Sequence, residues 1–164
     1  MFPNDIEQLA AAVIAAARAR GWTIATAESC TGGLVAGALT AVAGSSAVVD
    51  RGFVTYSNDA KSEMLGVPAE TIEAHGAVSE PVARAMAAGA RVTAGVDLAV
   101  SITGVAGPGG GSAEKPVGLV HFGCAGADGV EHEVRRFGDI GREQVRLESV
   151  RVALGLLLAA CEAA

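Results

Sequence analysis

The stretch from residue 26 to residue 33 reads Thr26-Ala27-Glu28-Ser29-Cys30-Thr31-Gly32-Gly33, and it joins an apolar segment to a helical one. The segment from Trp22 to Ala27 predicts a short buried strand, and the small residues from Gly32 to Leu39 continue at helical spacing. Ser29 therefore falls at the turn between a strand and a helix.

The backbone amides of this turn suit a phosphate or a developing oxyanion. We expect the N–H groups of Cys30, Thr31, Gly32 and Gly33 to point outward, with the positive end of the helix dipole behind them. The two glycines leave room for a ligand to approach the backbone closely. Ser29 is then a candidate nucleophile, but serine is also a favoured helix N-cap, so the motif alone leaves both roles open.

The composition predicts one globular domain over residues 1–164 and argues against several classes of protein. Of the 164 residues, 51% are hydrophobic and 18% are charged, which suits one well-packed domain. Mean hydropathy is +0.41, yet the longest clean apolar run, Val152 to Cys161, has 10 residues, whereas a membrane helix needs roughly 18. The net charge of −6 argues against nucleic-acid binding.

The N-terminus and the cysteines indicate the compartment. No signal-peptide pattern follows Met1, and the three cysteines are odd in number and have no metal-ligand spacing. We therefore expect a cytoplasmic protein with reduced thiols and without a bound metal.

The rest of the chain predicts a mixed sheet between layers of helices. Asn4 followed by Glu7 is a variant capping signal for a first helix, whose alanine face suggests a homo-oligomer, a dimer or larger. The almost wholly apolar segment from Asp97 to Thr103 predicts a central strand that is covered on both faces. The other predicted elements are a strand region at 47–56, short helices beginning at Ser57, Pro68 and Ser79, a hairpin around Ala127-Asp128-Gly129, and a terminal helix at 141–162. This order predicts a single three-layer α/β/α domain with a mixed β-sheet.

A glycine-rich loop follows the predicted central strand, and it reads Gly104-Val105-Ala106-Gly107-Pro108-Gly109-Gly110-Gly111-Ser112. Ordering so many glycines is costly in chain entropy. Either the loop is mobile, or its backbone N–H groups form a concave nest for an anion. The candidate substrate-binding residues here are Thr103, Gly104, Gly107, Gly109 and Gly110. The loop has neither the spacing of a dinucleotide fingerprint nor the ending of a Walker loop.

Two arginines in the terminal helix are further candidates for substrate binding. Arg142 and Arg146 are four residues apart, so both lie on one face of the helix. Guanidinium groups form charge-assisted hydrogen bonds with phosphate. The alternative is a surface pair that faces Glu143 and Glu148.

Motifs in the same order along nearly the whole chain resemble those of the CinA C-terminal domain family. They are residues 27–33, Thr55-Tyr56-Ser57-Asn58 with Lys61, Gly76-Ala77-Val78-Ser79, and residues 103–110. The family includes bacterial nicotinamide-nucleotide amidases. The resemblance therefore implies hydrolysis of the carboxamide of nicotinamide mononucleotide to nicotinate mononucleotide and ammonia, a step of pyridine-nucleotide salvage, with no cofactor. A non-catalytic nucleotide-binding or regulatory module is the alternative.

The resemblance also implies catalytic roles. The family's serine nucleophile, with its supporting tyrosine and lysine, matches Ser29, Tyr56 and Lys61. A lysine acts as a base only when it is neutral, so the pKa of Lys61 must fall from about 10.4 through desolvation or nearby positive charge. Tyr56 is expected to relay a proton or to hold Ser29 in place.

Overall fold

The strand that leads into Ser29 lies inside a five-stranded sheet. The structure is a computed structural model and describes residues 1–163. The strands are β1 (Ile24–Glu28), β2 (Val49–Val54), β3 (Leu98–Gly104), β4 (Leu119–Gly126) and β5 (Gly129–Arg136). The helices are α1 (Asn4–Arg20), α2 (Leu34–Thr40), α3 (Asn58–Leu65), α4 (Ala69–His75), α5 (Glu80–Ala94) and α6 (Arg142–Glu162).

The sheet is mixed and is covered on both faces. Its strand order is β2-β1-β3-β4-β5, with β1 parallel to both β2 and β3, and with β4 and β5 antiparallel. One buried apolar cluster joins α1, α2 and α6 to the sheet, and a second joins α3, α4 and α5 to it. The predicted three-layer α/β/α fold with a mixed sheet is confirmed, and β3 is the central strand as expected.

The predicted helix caps at Ser57 and Ser79 are confirmed, but the one at the N-terminus is wrong. Ser57 accepts a hydrogen bond from the amide of Ala60 and begins α3, and Ser79 does the same for α5. Asn4 does not cap α1, because Pro3 occupies that position and accepts the amides of Ile6 and Glu7 at its carbonyl. With φ at −52° and ψ at 145°, Pro3 already has the backbone conformation that an N-cap requires.

The helix that follows the turn at residues 29–33 starts later than predicted. Gly32 and Gly33 have φ values of 58° and 102°, in the left-handed region that favours glycine. The helical conformation therefore begins only at Leu34. Residues 29–33 form a longer turn than the sequence spacing suggested.

The terminal helix α6 packs against α1 and the sheet. Its buried residues include Val145, Val150, Leu154 and Leu157, and Leu147 is half-buried. No helix within residues 1–163 combines the length and the apolar character needed to cross a membrane.

Close backbone packing joins α3 to α5 and so fixes the helix that carries Lys61. A Cβ atom built on Gly89 in α5 would overlap the carbonyl oxygen of Leu65 at the end of α3. Backbone cannot move aside as the end of a flexible side chain can. Only glycine at position 89 allows this approach.

We predict that Gly89→Ala lowers the free energy of unfolding by about 1–3 kcal/mol, because the methyl group forces the two helices apart. Gly155→Ala in α6 is the matched control, since a Cβ there meets no atom of residues 1–163 within 4 Å. That control is expected to raise the free energy of unfolding by about 0.5–1 kcal/mol through helix propensity. Urea unfolding monitored by circular dichroism measures both, and a stabilised Gly89→Ala variant would contradict the packing argument.

Candidate active site

The three parallel strands end at one edge of the sheet, where a cavity lies. Ser29 follows β1, Thr55 and Tyr56 follow β2, and the glycine-rich loop follows β3. The cavity has a volume of about 290 Å³. It is lined by Ser29, Cys30, Tyr56, Asn58, Lys61, Ala77, Val78, Thr103, Gly104, Val105, Ala106, Gly107, Gly109, Gly110 and Arg142.

Lys61 and Ser29 contact each other in this cavity. Lys61 lies on α3 and is only 1% exposed. Its Nζ atom is 3.1 Å from Ser29 Oγ, 2.8 Å from the carbonyl oxygen of Thr55 and 3.4 Å from that of Tyr56. The contact between the predicted nucleophile and the predicted base is therefore direct.

Burial lowers the pKa of the Lys61 amine below its ordinary value of 10.5, and the neighbouring Cys30 thiol opposes that shift. A neutral amine has two N–H donors and one lone pair. When the amine is protonated, Nζ donates to all three oxygens; when it is neutral, the two carbonyl oxygens match its two N–H groups and its lone pair is left to accept the Ser29 hydroxyl. This is the arrangement that a general base requires.

Cys30 is a poor alternative nucleophile. Its side chain is buried, and burial raises the pKa of its thiol to about 12, with a further contribution from the charge of Glu28. A thiol with that pKa remains protonated near neutral pH and is unreactive. Burial of the Cys30 thiol thus favours the hydroxyl of Ser29 as the candidate nucleophile.

The turn itself leaves amide groups free. The Gly32 amide donates to the Ser29 carbonyl, and the Leu34 amide donates to the Thr31 carbonyl, both at 3.0 Å. The amides of Cys30, Thr31 and Gly33 donate to no backbone acceptor within residues 1–163, although the Cys30 amide lies against its own thiol. Of these three residues, Cys30 also lines the cavity.

Glu28 changes the expected electrostatics of the turn, and sequence reasoning missed its role. Its fully buried carboxyl group accepts the amides of Val35 at 2.9 Å and Ala36 at 3.0 Å. The prediction that the positive end of this helix faces a ligand is therefore wrong, because Glu28 already occupies that end. A glutamate at the end of an otherwise apolar strand was the available signal.

The two arginines of α6 have different surroundings. Arg142 lines the cavity and donates to the Gly107 carbonyl at 2.8 Å and to the Tyr56 hydroxyl at 3.1 Å. Arg146 donates from Nε to the Cys30 carbonyl at 3.0 Å and from Nη2 to the Thr31 carbonyl at 3.2 Å. Arg146 is absent from the lining formed by residues 1–163.

Some of the other predicted site residues also line the cavity, and others do not. Tyr56 is 62% exposed, and its hydroxyl contacts Arg142, while its carbonyl is the group that contacts Lys61. Thr103 lines the cavity and donates its hydroxyl to the Ala77 carbonyl at 2.9 Å. The four predicted glycines of the loop all line the cavity, whereas Thr31, Gly32 and Gly33 do not. Five residues line it without having been predicted as site residues, namely Asn58, Ala77, Val78, Val105 and Ala106.

Fold and site define a three-layer α/β domain with a serine–lysine pair at the carboxyl edge of its parallel strands. The model of the CinA C-terminal domain family matches residues 6–161. The chain belongs to this family.

The relatives are of two lengths. The nicotinamide-nucleotide amidohydrolase PncC of Enterobacter agglomerans is 54% identical, over 94% of this chain and 94% of its own length. A CinA-like protein of Anaeromyxobacter dehalogenans is also 54% identical, but the match covers 96% of this chain and only 38% of that protein. The crystal structure of competence/damage inducible protein CihA from Agrobacterium tumefaciens has a TM-score of 0.95 and 58% identity, with 97% of each chain covered.

We predict that Glu28→Gln lowers the free energy of unfolding by about 1–3 kcal/mol, because an amide nitrogen replaces one of two acceptor oxygens and leaves a buried N–H unsatisfied. Urea unfolding measures the change. Glu63→Gln on the exposed surface of α3 is the control and should change the free energy of unfolding by less than about 0.5 kcal/mol. Equal values for the two variants would show that the Glu28 carboxyl does not hold α2.

Proposed function

We propose that the protein hydrolyses the carboxamide of nicotinamide mononucleotide, giving nicotinate mononucleotide and ammonia. The 3.1 Å contact between Lys61 Nζ and Ser29 Oγ in the cavity carries this proposal. Identity of 54% to a protein named nicotinamide-nucleotide amidohydrolase, over 94% of both chains, supports the choice of substrate.

In the proposed mechanism, Ser29 Oγ attacks the carboxamide carbon while neutral Lys61 accepts the hydroxyl proton. The carbonyl oxygen becomes an oxyanion, for which the Cys30 amide, which has no backbone acceptor within residues 1–163, is the donor nearest the nucleophile along the chain. Lys61 then returns the proton to the leaving nitrogen, and ammonia departs from an acyl-enzyme. Water, activated by the same amine, hydrolyses that ester and regenerates Ser29.

The phosphate of the substrate is assigned to Arg142 and to the glycine-rich loop. Arg142 is exposed at the cavity and donates to the loop through Gly107. The amides of residues 106, 107, 109, 110 and 111 donate to no acceptor within residues 1–163. A cation beside a set of free backbone amides is the chemistry that recognises phosphate. In this assignment Tyr56 orients Arg142 through its hydroxyl.

We also propose a cytoplasmic location and a homo-oligomeric state. All three cysteines are free and buried, which suits the reduced thiols of the cytoplasm. On α1, Ala11 and Ala15 are exposed, and they are proposed as part of a contact between subunits of a homo-oligomer.

Purified protein is expected to release ammonia from nicotinamide mononucleotide and not from free nicotinamide or glutamine, because the phosphate site contributes to binding. Ser29→Ala should lose at least about 1,000-fold in kcat, since no other group can form the acyl-enzyme. Isothermal titration is expected to show that this variant still binds the mononucleotide. Saturable binding without ammonia release by the wild-type protein would support a binding module instead and would leave Ser29 without a catalytic role.

The pH dependence of the reaction tests the base. Because Lys61 must be neutral to accept a proton, kcat/KM should fall as the pH drops below the pKa of Lys61, which burial places below 10.5. Lys61→Met is expected to remove turnover near neutral pH and to keep the fold, since a methionine fills a similar buried volume. Turnover at wild-type rates in Lys61→Met, with circular dichroism unchanged, would exclude this amine from the mechanism.

A further inference from the structure

We propose that Arg146 is a positioning residue that orients and polarises the amide donors of the nucleophile turn, and is not a phosphate ligand. This inference rests on the proposed amide hydrolysis. It starts from the two hydrogen bonds that the guanidinium group donates, to the carbonyls of Cys30 and Thr31. Both accepting carbonyls belong to the turn that carries the nucleophile.

Because trans peptides are planar, a hydrogen bond to a carbonyl also fixes the direction of the N–H group on the opposite side of the same peptide unit. In a trans peptide the N–H points away from the C=O of the same unit, and the only cis peptide bond within residues 1–163 is Gly107-Pro108. The carbonyl of Cys30 shares its peptide unit with the amide of Thr31. A guanidinium that holds this carbonyl therefore directs the Thr31 N–H away from itself, and that N–H has no acceptor within the same range of residues.

A second route ends at the Cys30 amide. Arg146 Nη2 donates to the Thr31 carbonyl, whose peptide unit contains the Gly32 amide. That amide donates to the Ser29 carbonyl, whose peptide unit contains the Cys30 amide. Two peptide units in series thus connect the guanidinium to an N–H that has no backbone acceptor within residues 1–163, on a residue that lines the cavity. Hydrogen bonds in series polarise one another, so a charged donor at the start of the chain strengthens the donor at its end.

The backbone at Gly32 fits this arrangement. Its φ of 58° is in the left-handed region, and a Cβ built there would lie 3.3 Å from Arg146 Nη2. A side chain at position 32 would therefore press on the guanidinium as well as strain the backbone. Gly32 leaves the space in which Arg146 reaches both carbonyls.

The two arginines of α6 consequently have separate tasks. Arg142 lines the cavity and belongs to substrate binding. Arg146 does not line the cavity formed by residues 1–163, and two of its nitrogen atoms donate to carbonyls of the turn. Loss of Arg142 is expected to act on KM. Loss of Arg146 is expected to act on kcat, because the oxyanion forms only in the transition state.

The experiment compares Arg146→Lys and Arg146→Ala with Arg135→Ala, which removes an exposed guanidinium on β5. With nicotinamide mononucleotide, both Arg146 variants should lose about 10- to 100-fold in kcat, less than the loss of an entire oxyanion donor, and change KM by less than about 3-fold. Millimolar guanidinium chloride should restore part of the rate of Arg146→Ala alone. Lysine keeps the positive charge but cannot donate to the Cys30 and Thr31 carbonyls at the same time, so Arg146→Lys measures the effect of losing the paired hydrogen bonds. Thermal unfolding checks that the variant remains stable.

A second readout does not depend on turnover. Amide ¹⁵N shifts respond to hydrogen bonding at the preceding carbonyl, so the resonances of Thr31 and Gly32 should move upfield in Arg146→Lys and stay unchanged in Arg135→Ala. An increase in KM with kcat unchanged would overturn the proposal in favour of a phosphate contact, and unmoved resonances would overturn the hydrogen bonds themselves. If the wild-type protein releases no ammonia, the proposed function fails, while the ¹⁵N shifts still decide whether Arg146 holds the turn.

Discussion

The contact between Lys61 and Ser29 depends on burying an amine, which is costly unless its donors are satisfied. The carbonyl oxygens of Thr55 and Tyr56 satisfy them, and both follow the last residue of β2. The Thr55 amide donates to the Glu28 carbonyl at 2.8 Å, so the ladder between β1 and β2 continues one residue beyond the strand. That extension brings the carbonyl groups that bind the lysine close to Ser29, the candidate nucleophile, which directly follows Glu28. The pairing of β1 with β2 thus places the carbonyl groups without which the Lys61 amine could not be buried.

The strand order explains why the cavity lies at this position. From β1 the chain passes through α2 to β2 on one side, and then through α3, α4 and α5 to β3 on the other side of β1. The connection that leaves β1 carries α2 on one face of the sheet, and the connection that leaves β2 carries α3, α4 and α5 on the other face. The carboxyl ends of β1 and β2 therefore flank a switch point, which is where α/β sheets place their ligands. The Ser29 amide donates to the Ile102 carbonyl at 2.9 Å, which ties the start of the turn to β3. Residues from all three parallel strands therefore meet there without a long loop to bring them together.

Features of the fold that depend on residues close together in sequence were predicted correctly. The caps at Ser57 and Ser79, the hairpin and the apolar central strand depend on neighbours within a few positions, and they were predicted correctly. The end of the turn was placed too early, because helical spacing does not show that Gly32 and Gly33 adopt left-handed φ values. The site residues that line the cavity came from motifs met in order along the chain. Their roles beyond geometry remain predictions.

Charged side chains were the hardest part to predict, because sequence shows a charge and not the group that it satisfies. Glu28 and Arg146 lie on opposite sides of the turn in sequence, and both bind backbone: the carboxyl group accepts two amides of α2, and the guanidinium donates to two carbonyls of the turn. Each contact spans a distance along the chain that local patterns do not reach, 116 residues in the case of Arg146 and Cys30. Arg146 therefore fixes the turn through two of its carbonyls, and Glu28 fixes the first turn of the helix that follows through two of its amides. In the proposed mechanism, donors that are already oriented stabilise the developing charge without a further cost, and both charged side chains act from outside the cavity lining formed by the described residues.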